Sequence, residues 1–193
     1  KLLNFATGLG VTGESIFEGL VNFQAFFIAN IFGWRYKCDS KKYRYREVDL
    51  FIPRKNTKTF LAALIFIILM LTEDDYSEFY SICLDRDLAG EVKKAIAQIL
   101  SVSPIVGQYF NIPKTLSGRL ECILTHSFYQ PRTAEANRNN SIKPSAFIAD
   151  EFGAMKDNSN VEAMKSGQLN IKNPLMFRLT SAYAEDKSIM LGE

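Results

Sequence analysis

The chain has little of what builds a metal centre. Among 193 residues there are three cysteines and one histidine. Cys38, Cys83, Cys122 and His126 are scattered, with no C-x-x-C pair. This excludes a structural zinc site, which needs four clustered thiolates or imidazoles. A sparse, odd cysteine count also suits a reducing compartment rather than a disulfide framework. Net charge is low as well: 23 basic against 21 acidic side chains leave +2. No global field draws the chain to nucleic acid, so any such contact must come from a local patch. No apolar run approaches the about 20 residues that span a bilayer. The longest, 60–71, lies between Arg54, Lys55 and Lys58 on one side and Glu73, Asp74 and Asp75 on the other, and reads as a buried core helix. No signal peptide is evident, and the first residue, Lys1, gives the expectation of a piece trimmed from a longer protein. With 47% hydrophobic and 23% charged residues, the remaining expectation is one medium globular domain with a sizeable core.

Residues 1–13 hold three glycines and no periodicity, and read as a lead-in. From Glu14 to Phe32, Ile16, Phe17, Leu20, Phe23, Phe27, Ile28 and Ile31 recur at helical spacing. Residues 35–46 interleave basic and aromatic side chains around a Cys38-Asp39-Ser40 turn, as in a hairpin. Their phosphate-gripping potential is the alternative reading. Strands are expected at 47–52, 79–84, 120–124, 146–149 and 175–180, and helices at 58–71, 85–100 (capped by Asp85) and 161–169. Residues 101–118 are broken by proline and glycine, and polar 129–144 reads as an exposed loop. Trp34 is expected to pack in the core or at a hinge, Cys83 to be inert in a core strand, and His126 to be a surface or half-buried residue. Strands alternating with helices give an α/β domain with a mainly parallel sheet flanked by helices.

Three segments carry chemistry. Ile52-Pro53-Arg54-Lys55-Asn56-Thr57-Lys58-Thr59 lies between a predicted strand and a predicted helix. A phosphate-binding loop sits in that position: backbone N–H groups and the helix N-terminus hold the anion, a lysine reaches the outer phosphates, and the next hydroxyl holds Mg²⁺. The usual G-x-x-x-x-G-K-[ST] pattern fails at both glycines, because Ile52 and Thr57 stand there. Taken alone, the loop is better explained as a basic turn capping a core helix. Phe147-Ile148-Ala149-Asp150-Glu151 is an apolar strand running into two acids. Such a pair can orient Mg²⁺ and polarise a water, although adjacent acids also occur at solvated strand ends. The spacing leaves room for two βα units and suggests that the two motif strands lie side by side. Leu175–Ser181 is a third strand, ending in the hydroxyls Thr180 and Ser181, where a γ-phosphate could be sensed.

Taken in order, these segments resemble the ATPase domain of the phage large terminase subunit. Pro53-Arg54-Lys55-Asn56-Thr57-Lys58-Thr59 is similar to that family's deviant Walker A, written P-R-K-N-G-K-[ST]. Asp150-Glu151 is similar to its Walker B and catalytic Glu, and Leu179-Thr180-Ser181-Ala182 to its coupling motif. Phe23-Gln24-Ala25-Phe26-Phe27 and Ile31-Phe32-Gly33-Trp34 resemble its adenine-recognising Q motif and the segment after it, and Asp85–Ala89 resembles the start of its next helix.

The resemblance implies a P-loop NTPase fold of the RecA-like (ASCE) kind over the whole of 1–193, with 1–45 as lead-in and Q-motif region and 46–193 as P-loop core. It implies an ATP-hydrolysing motor that drives double-stranded DNA into a procapsid, with ATP and Mg²⁺ as its cofactors. Lys58, Arg54 and Glu151 would be catalytic, Lys58 on the β- and γ-phosphates and Glu151 as general base. Gln24, Arg54, Lys55, Asn56, Thr57, Lys58, Thr59 and Thr180 would bind nucleotide, with Gln24 reading the adenine edge and Arg54 contacting the γ-phosphate in cis. Thr59 and Asp150 would hold the metal. Arg119, Arg132 and Arg138 are candidates for an arginine acting in trans. Implied partners are DNA, the small terminase subunit and the portal protein. The resemblance further implies a ring of copies on the portal, a monomer in isolation, the host cytoplasm and no membrane. The nuclease domain usual in the family is not expected within this chain.

Thr57 is the departure from that pattern. A β-branched residue is stiffer than glycine where the backbone approaches phosphate, so weak ATP affinity of the isolated domain is expected. Two other readings stand beside this one: a helicase-like P-loop ATPase, and a nucleotide-binding module with a degenerate loop and little activity.

Overall fold

The computed structural model describes residues 10–11, 14–15, 19–53, 55–84, 86–115, 118–133, 141–155 and 157–181. Arg54, Asp85 and Arg138, named above, lie outside the described residues, as does most of the lead-in. The elements in chain order are β1 (Gly10–Val11), β2 (Glu14–Ser15), α1 (Asn22–Gly33), β3 (Glu47–Phe51), α2 (Lys58–Thr72), β4 (Glu78–Cys83), α3 (Arg86–Ser101), α4 (Pro104–Gly107), β5 (Phe110–Asn111), β6 (Leu120–Cys122), β7 (Phe128–Thr133), β8 (Ala146–Asp150), α5 (Ser159–Gly167) and β9 (Leu175–Thr180). A 3₁₀ turn, Phe152–Ala154, follows β8. Strands β1 and β2 form a small antiparallel pair of their own.

The other seven strands form one sheet in the order β3-β9-β8-β4-β7-β6-β5. Strands β3, β9, β8, β4 and β7 run parallel, while β6 and β5 add an antiparallel margin. The α/β expectation is met. The expected adjacency of the two motif strands is not, because β9 lies between β3 and β8. Between the motifs the chain forms one βα unit, β4–α3, and then the antiparallel excursion β5–β6, rather than two βα units.

The central strands read as continuous apolar runs because both faces are covered. Every residue of β8 is buried. Alternate side chains feed two cores. Phe79, Ala146, Ile148, Leu175 and Phe177 pack with α1, α2 and α3. Tyr80, Ile82, Phe147, Ala149 and Met176 pack with Phe152, Met155, Val161 and Met164 on the other face. Helix α2 is the predicted core helix, with Leu61 to Met70 all buried and Phe66 against Phe79 and Tyr129. Its last turn is held by side chains: the hydroxyls of Thr125 and Ser127 both donate to the Met70 carbonyl, at 2.6 and 3.1 Å. These bonds satisfy a backbone acceptor that the helix end leaves open.

Three local expectations are corrected. Glu14 and Ser15 are strand, and the helix carrying Phe23, Phe27 and Ile31 starts at Asn22, where Gln24 Oε1 accepts the Val21 N–H at 3.0 Å. Residues 128–133 are strand β7 rather than loop. Polarity and Pro131 hid it, yet β6 pairs only with Phe128 and Tyr129, so Pro131 stands where that side of β7 is an edge that tolerates a missing N–H. Trp34 is exposed at 58%, with its indole N–H on Asn30. The hairpin at 35–46 is present as a single antiparallel bridge, Arg35–Tyr43, with the Arg35 guanidinium over the Tyr43 ring. Cys83 is buried, and His126 is exposed, stacked on Tyr76.

Candidate active site at the C-terminal edge of the sheet

Parallel register sets the site. Phe51 is level with Thr180, and Asp150 with Leu179. The loop after β3, the acids after β8 and the hydroxyls after β9 therefore emerge together at the carboxyl edge of the sheet, where ligands bind in open α/β sheets. The same loop runs into the first turn of α2, whose N-terminus carries partial positive charge.

The centre of the site is Lys58. Its Nζ donates to Glu151 Oε1 at 2.5 Å and lies 3.2 Å from Asp150 Oδ1. Burial alone would lower the lysine's pKa, but the two carboxylates more than offset this and raise it. Asp150 is buried, and that burial holds its carboxyl above the ordinary range despite the opposing attraction of Lys58. Glu151 is half-buried in the left-handed region (φ 53°, ψ 40°), with its N–H on Asp150 Oδ1 at 3.0 Å and Ser181 Oγ 3.5 Å from Oε2. Thr59 is half-buried in the first turn of α2.

The loop itself holds two non-glycine residues at positive φ, Lys55 (68°) and Thr57 (57°). For a β-branched residue that conformation costs about 1–3 kcal/mol and persists only where the surroundings impose it. Two hydroxyl bonds impose it at Thr57: Oγ1 donates to the Asn56 carbonyl at 2.7 Å and accepts from Gln24 Nε2. Asn56 Nδ2 closes the turn on the Pro53 carbonyl at 3.2 Å. Lys55 and Asn56 are exposed.

The structure thus brings Gln24, Lys55, Asn56, Thr57, Lys58, Thr59, Asp150 and Glu151 to one edge. Thr180 is fully buried, and its hydroxyl accepts the Gly153 N–H at 3.0 Å, so it holds the 3₁₀ turn behind Glu151 rather than facing the loop. Arg119 and Arg132 lie over the rings of Phe128 and Tyr80 at 4.3 and 5.1 Å, and Arg132 is level with Ile82 of β4, itself level with Ala149 of β8. Sequence pattern gave no signal for the Gln24–Thr57 contact, which spans 33 positions, nor for Gly153 as the partner of Thr180.

The donor set suits magnesium, which is held by one or two carboxylates and a hydroxyl together with substrate phosphates. Asp150 and Thr59 supply a buried carboxylate and a half-buried alcohol. Among the described residues there is no group of three or more side chains that would form a metal site unaided.

The chain is similar in fold to large terminases of bacteriophages. The large terminase of bacteriophage HK97 superposes with a TM-score of 0.74 at 22% identity, over 89% of this chain and 35% of that one. The Thermus phage P74-26 large terminase ATPase domain gives 0.58 at 13%, over 79% and 67%. The large terminase of a thermophilic bacteriophage, solved in complex with ATP-gamma-S, gives 0.53 at 12%, over 79% and 36%. The chain therefore spans about a third of the length of the HK97 protein. No curated protein is similar to it. The model of the terminase large subunit ATPase domain matches residues 22–193, nearly the whole chain, and on that match this chain belongs to the family of terminase large subunit ATPase domains.

Proposed function

We propose that this domain hydrolyses ATP between the 54–59 loop and Asp150-Glu151, and that it does so within a longer large subunit to drive double-stranded DNA into a procapsid. The observation that carries the reading is the contact of Lys58 with Asp150 and Glu151: two motifs 93 positions apart meet in one partly buried ion cluster.

The roles follow from that cluster. An incoming triphosphate is a stronger anion than either carboxylate, so Lys58 shifts onto its outer phosphates and the Glu151 carboxylate is released. Glu151 is then free to accept the proton of an attacking water, a step for which a positioned carboxylate contributes typically 10²–10⁴-fold. Thr59 and Asp150 would hold Mg²⁺, which would supply neutralisation of phosphate charge. Lys55 and Asn56 present loop backbone to the phosphates, and resemblance to the family gives Arg54, outside the described residues, a contact with the γ-phosphate in cis. Thr180 and Ser181 hold the segment carrying Glu151 and pass its movement to the end of β9. Of the two candidates for a trans contact among the described residues, Arg119 is exposed and Arg132 half-buried.

The assembly belongs to the same reading: a monomer in isolation, a ring on the portal protein with the small terminase subunit and DNA, in the host cytoplasm. Among the described residues no helix is long and apolar enough to cross a membrane.

The test is Glu151→Gln, in this chain and in the full-length subunit. Hydrolysis should fall by about 10²–10⁴-fold while calorimetric nucleotide binding persists, and procapsid filling measured by nuclease protection should cease. Intact turnover in the variant would sink the assignment.

A further inference from the structure

We propose that Gln24 is a positioning residue for the phosphate loop, acting through Thr57; this rests on the nucleotide site described above. Gln24 is the third residue of α1 and only 4% exposed. Both ends of its amide are engaged. Oε1 accepts the Val21 N–H at 3.0 Å and so caps α1, while Nε2 donates to Thr57 Oγ1. The Thr57 hydroxyl passes its own proton to the Asn56 carbonyl at 2.7 Å. One unbroken chain of hydrogen bonds therefore runs from the start of α1 into the loop. An amide offers two lone pairs on its oxygen and two N–H donors; with one of each committed to Val21 and Thr57, the plane of the Gln24 amide is fixed by the cap at one end and by the loop at the other.

Thr57 explains why such a tether is present. It sits in the left-handed region at φ 57°, ψ 27°, and its carbonyl accepts the Leu61 N–H at 3.0 Å, one of the first hydrogen bonds of α2. The orientation of its peptide thereby sets the direction of the amide that follows, at Lys58. Glycine adopts that conformation freely. Threonine must be held in it, and Gln24 is the side chain that reaches it from outside the loop. Gln24 and Thr57 thus form a matched pair, with the amide doing by tether what glycine would do by freedom.

The pair predicts a base-independent effect. Equilibrium binding of ATP, GTP and inorganic tripolyphosphate is to be measured by calorimetry on wild type, Gln24→Leu, Thr57→Val, Thr57→Gly and the Gln24→Leu/Thr57→Gly double variant, with thermal melts reporting folding. Gln24→Leu should weaken all three ligands by one common factor, about 3- to 10-fold for a lost hydrogen bond. Thr57→Val, which removes the hydroxyl without touching the cap of α1, should reproduce that loss. In the Thr57→Gly background Gln24→Leu should change nothing further. Loss of ATP binding alone, with GTP and tripolyphosphate spared, would make Gln24 a base reader and overturn the proposal. An equal loss in the glycine background would overturn it too, because the effect would not pass through Thr57. Failure of wild type to bind any of the three would instead refute the nucleotide site itself, and the tether with it.

Discussion

Lys58→Met is the substitution for which the structure sets the clearest quantitative expectation. The side chains of Lys58, Asp150 and Glu151 are only 13, 11 and 22% exposed. Methionine keeps the length and removes the charge, leaving two adjacent carboxylates facing each other in a partly buried cleft. Removing one partner of a fully buried pair costs about 3–5 kcal/mol; because this cluster keeps some contact with solvent, about 2–3 kcal/mol is expected. For a domain of this size that corresponds to a fall in Tm of about 4–12 °C.

The deficit should also depend on pH, with a definite sign. Burial already holds the folded pKa of Asp150 above its ordinary value while Lys58 opposes the shift, and losing Lys58 raises it further. A carboxyl with a raised folded pKa binds its proton in the folded state before the unfolded state does, so acidification relieves the penalty. Lys58 in wild type has a raised pKa, so its contribution is constant through the acidic and neutral range and is lost only in strongly alkaline solution. Urea unfolding at about pH 7.5, 6 and 5 should therefore show the gap between wild type and Lys58→Met narrowing as pH falls. A gap that stays flat or widens, or a variant as stable as wild type at about pH 7.5, would refute the account of the cluster.

Two further substitutions test how the site is supported. Thr180→Val preserves shape and strand propensity but removes the hydroxyl that accepts the Gly153 N–H; urea unfolding should show a loss of about 0.5–1.5 kcal/mol, and hydrolysis should slow because the turn behind Glu151 loosens. Gly167→Ala places a Cβ 2.3 Å from the Ile142 carbonyl oxygen and 3.0 Å from Pro144 Cδ; α5 must move off the segment that leads into β8, and thermal melts should show about 1–3 kcal/mol of destabilisation.

Much of the fold was legible because the central strands are buried on both faces. Ala146–Asp150 and Leu175–Thr180 read as short apolar runs ended by polar groups, and the all-apolar 60–71 run could be nothing shorter than a core helix. Strand order was not legible. The interposition of β9 between β3 and β8 depends on the crossover from β8 through α5, and no local pattern encodes it. Strand β7 was missed because its partners, β4 and part of β6, supply the stability that its own composition, with Pro131 and Arg132, does not advertise. In the site the residue types were legible, but their partners were not: the inward turn of Thr180 to Gly153 and the reach of Gln24 to Thr57 are set by tertiary register.

The absent glycine at position 57 has a narrower meaning than the sequence pattern suggests. A pattern that demands glycine encodes a backbone conformation, and Thr57 already occupies that conformation, as do Lys55 and Glu151 at the other corners of the site. The expected opponent of phosphate binding in this arrangement is therefore the engagement of Lys58 with two carboxylates rather than the bulk of a threonine methyl. The two causes separate experimentally. If the side chain of Thr57 obstructs the loop, Thr57→Gly alone should tighten ATP binding markedly. If Lys58 must be drawn from its acids, Thr57→Gly should leave affinity within about 2-fold, and Glu151→Gln should tighten it by removing one competitor for the ammonium. Calorimetry on the two variants decides the matter, and tighter binding by Thr57→Gly with none by Glu151→Gln would return the weakness to the loop.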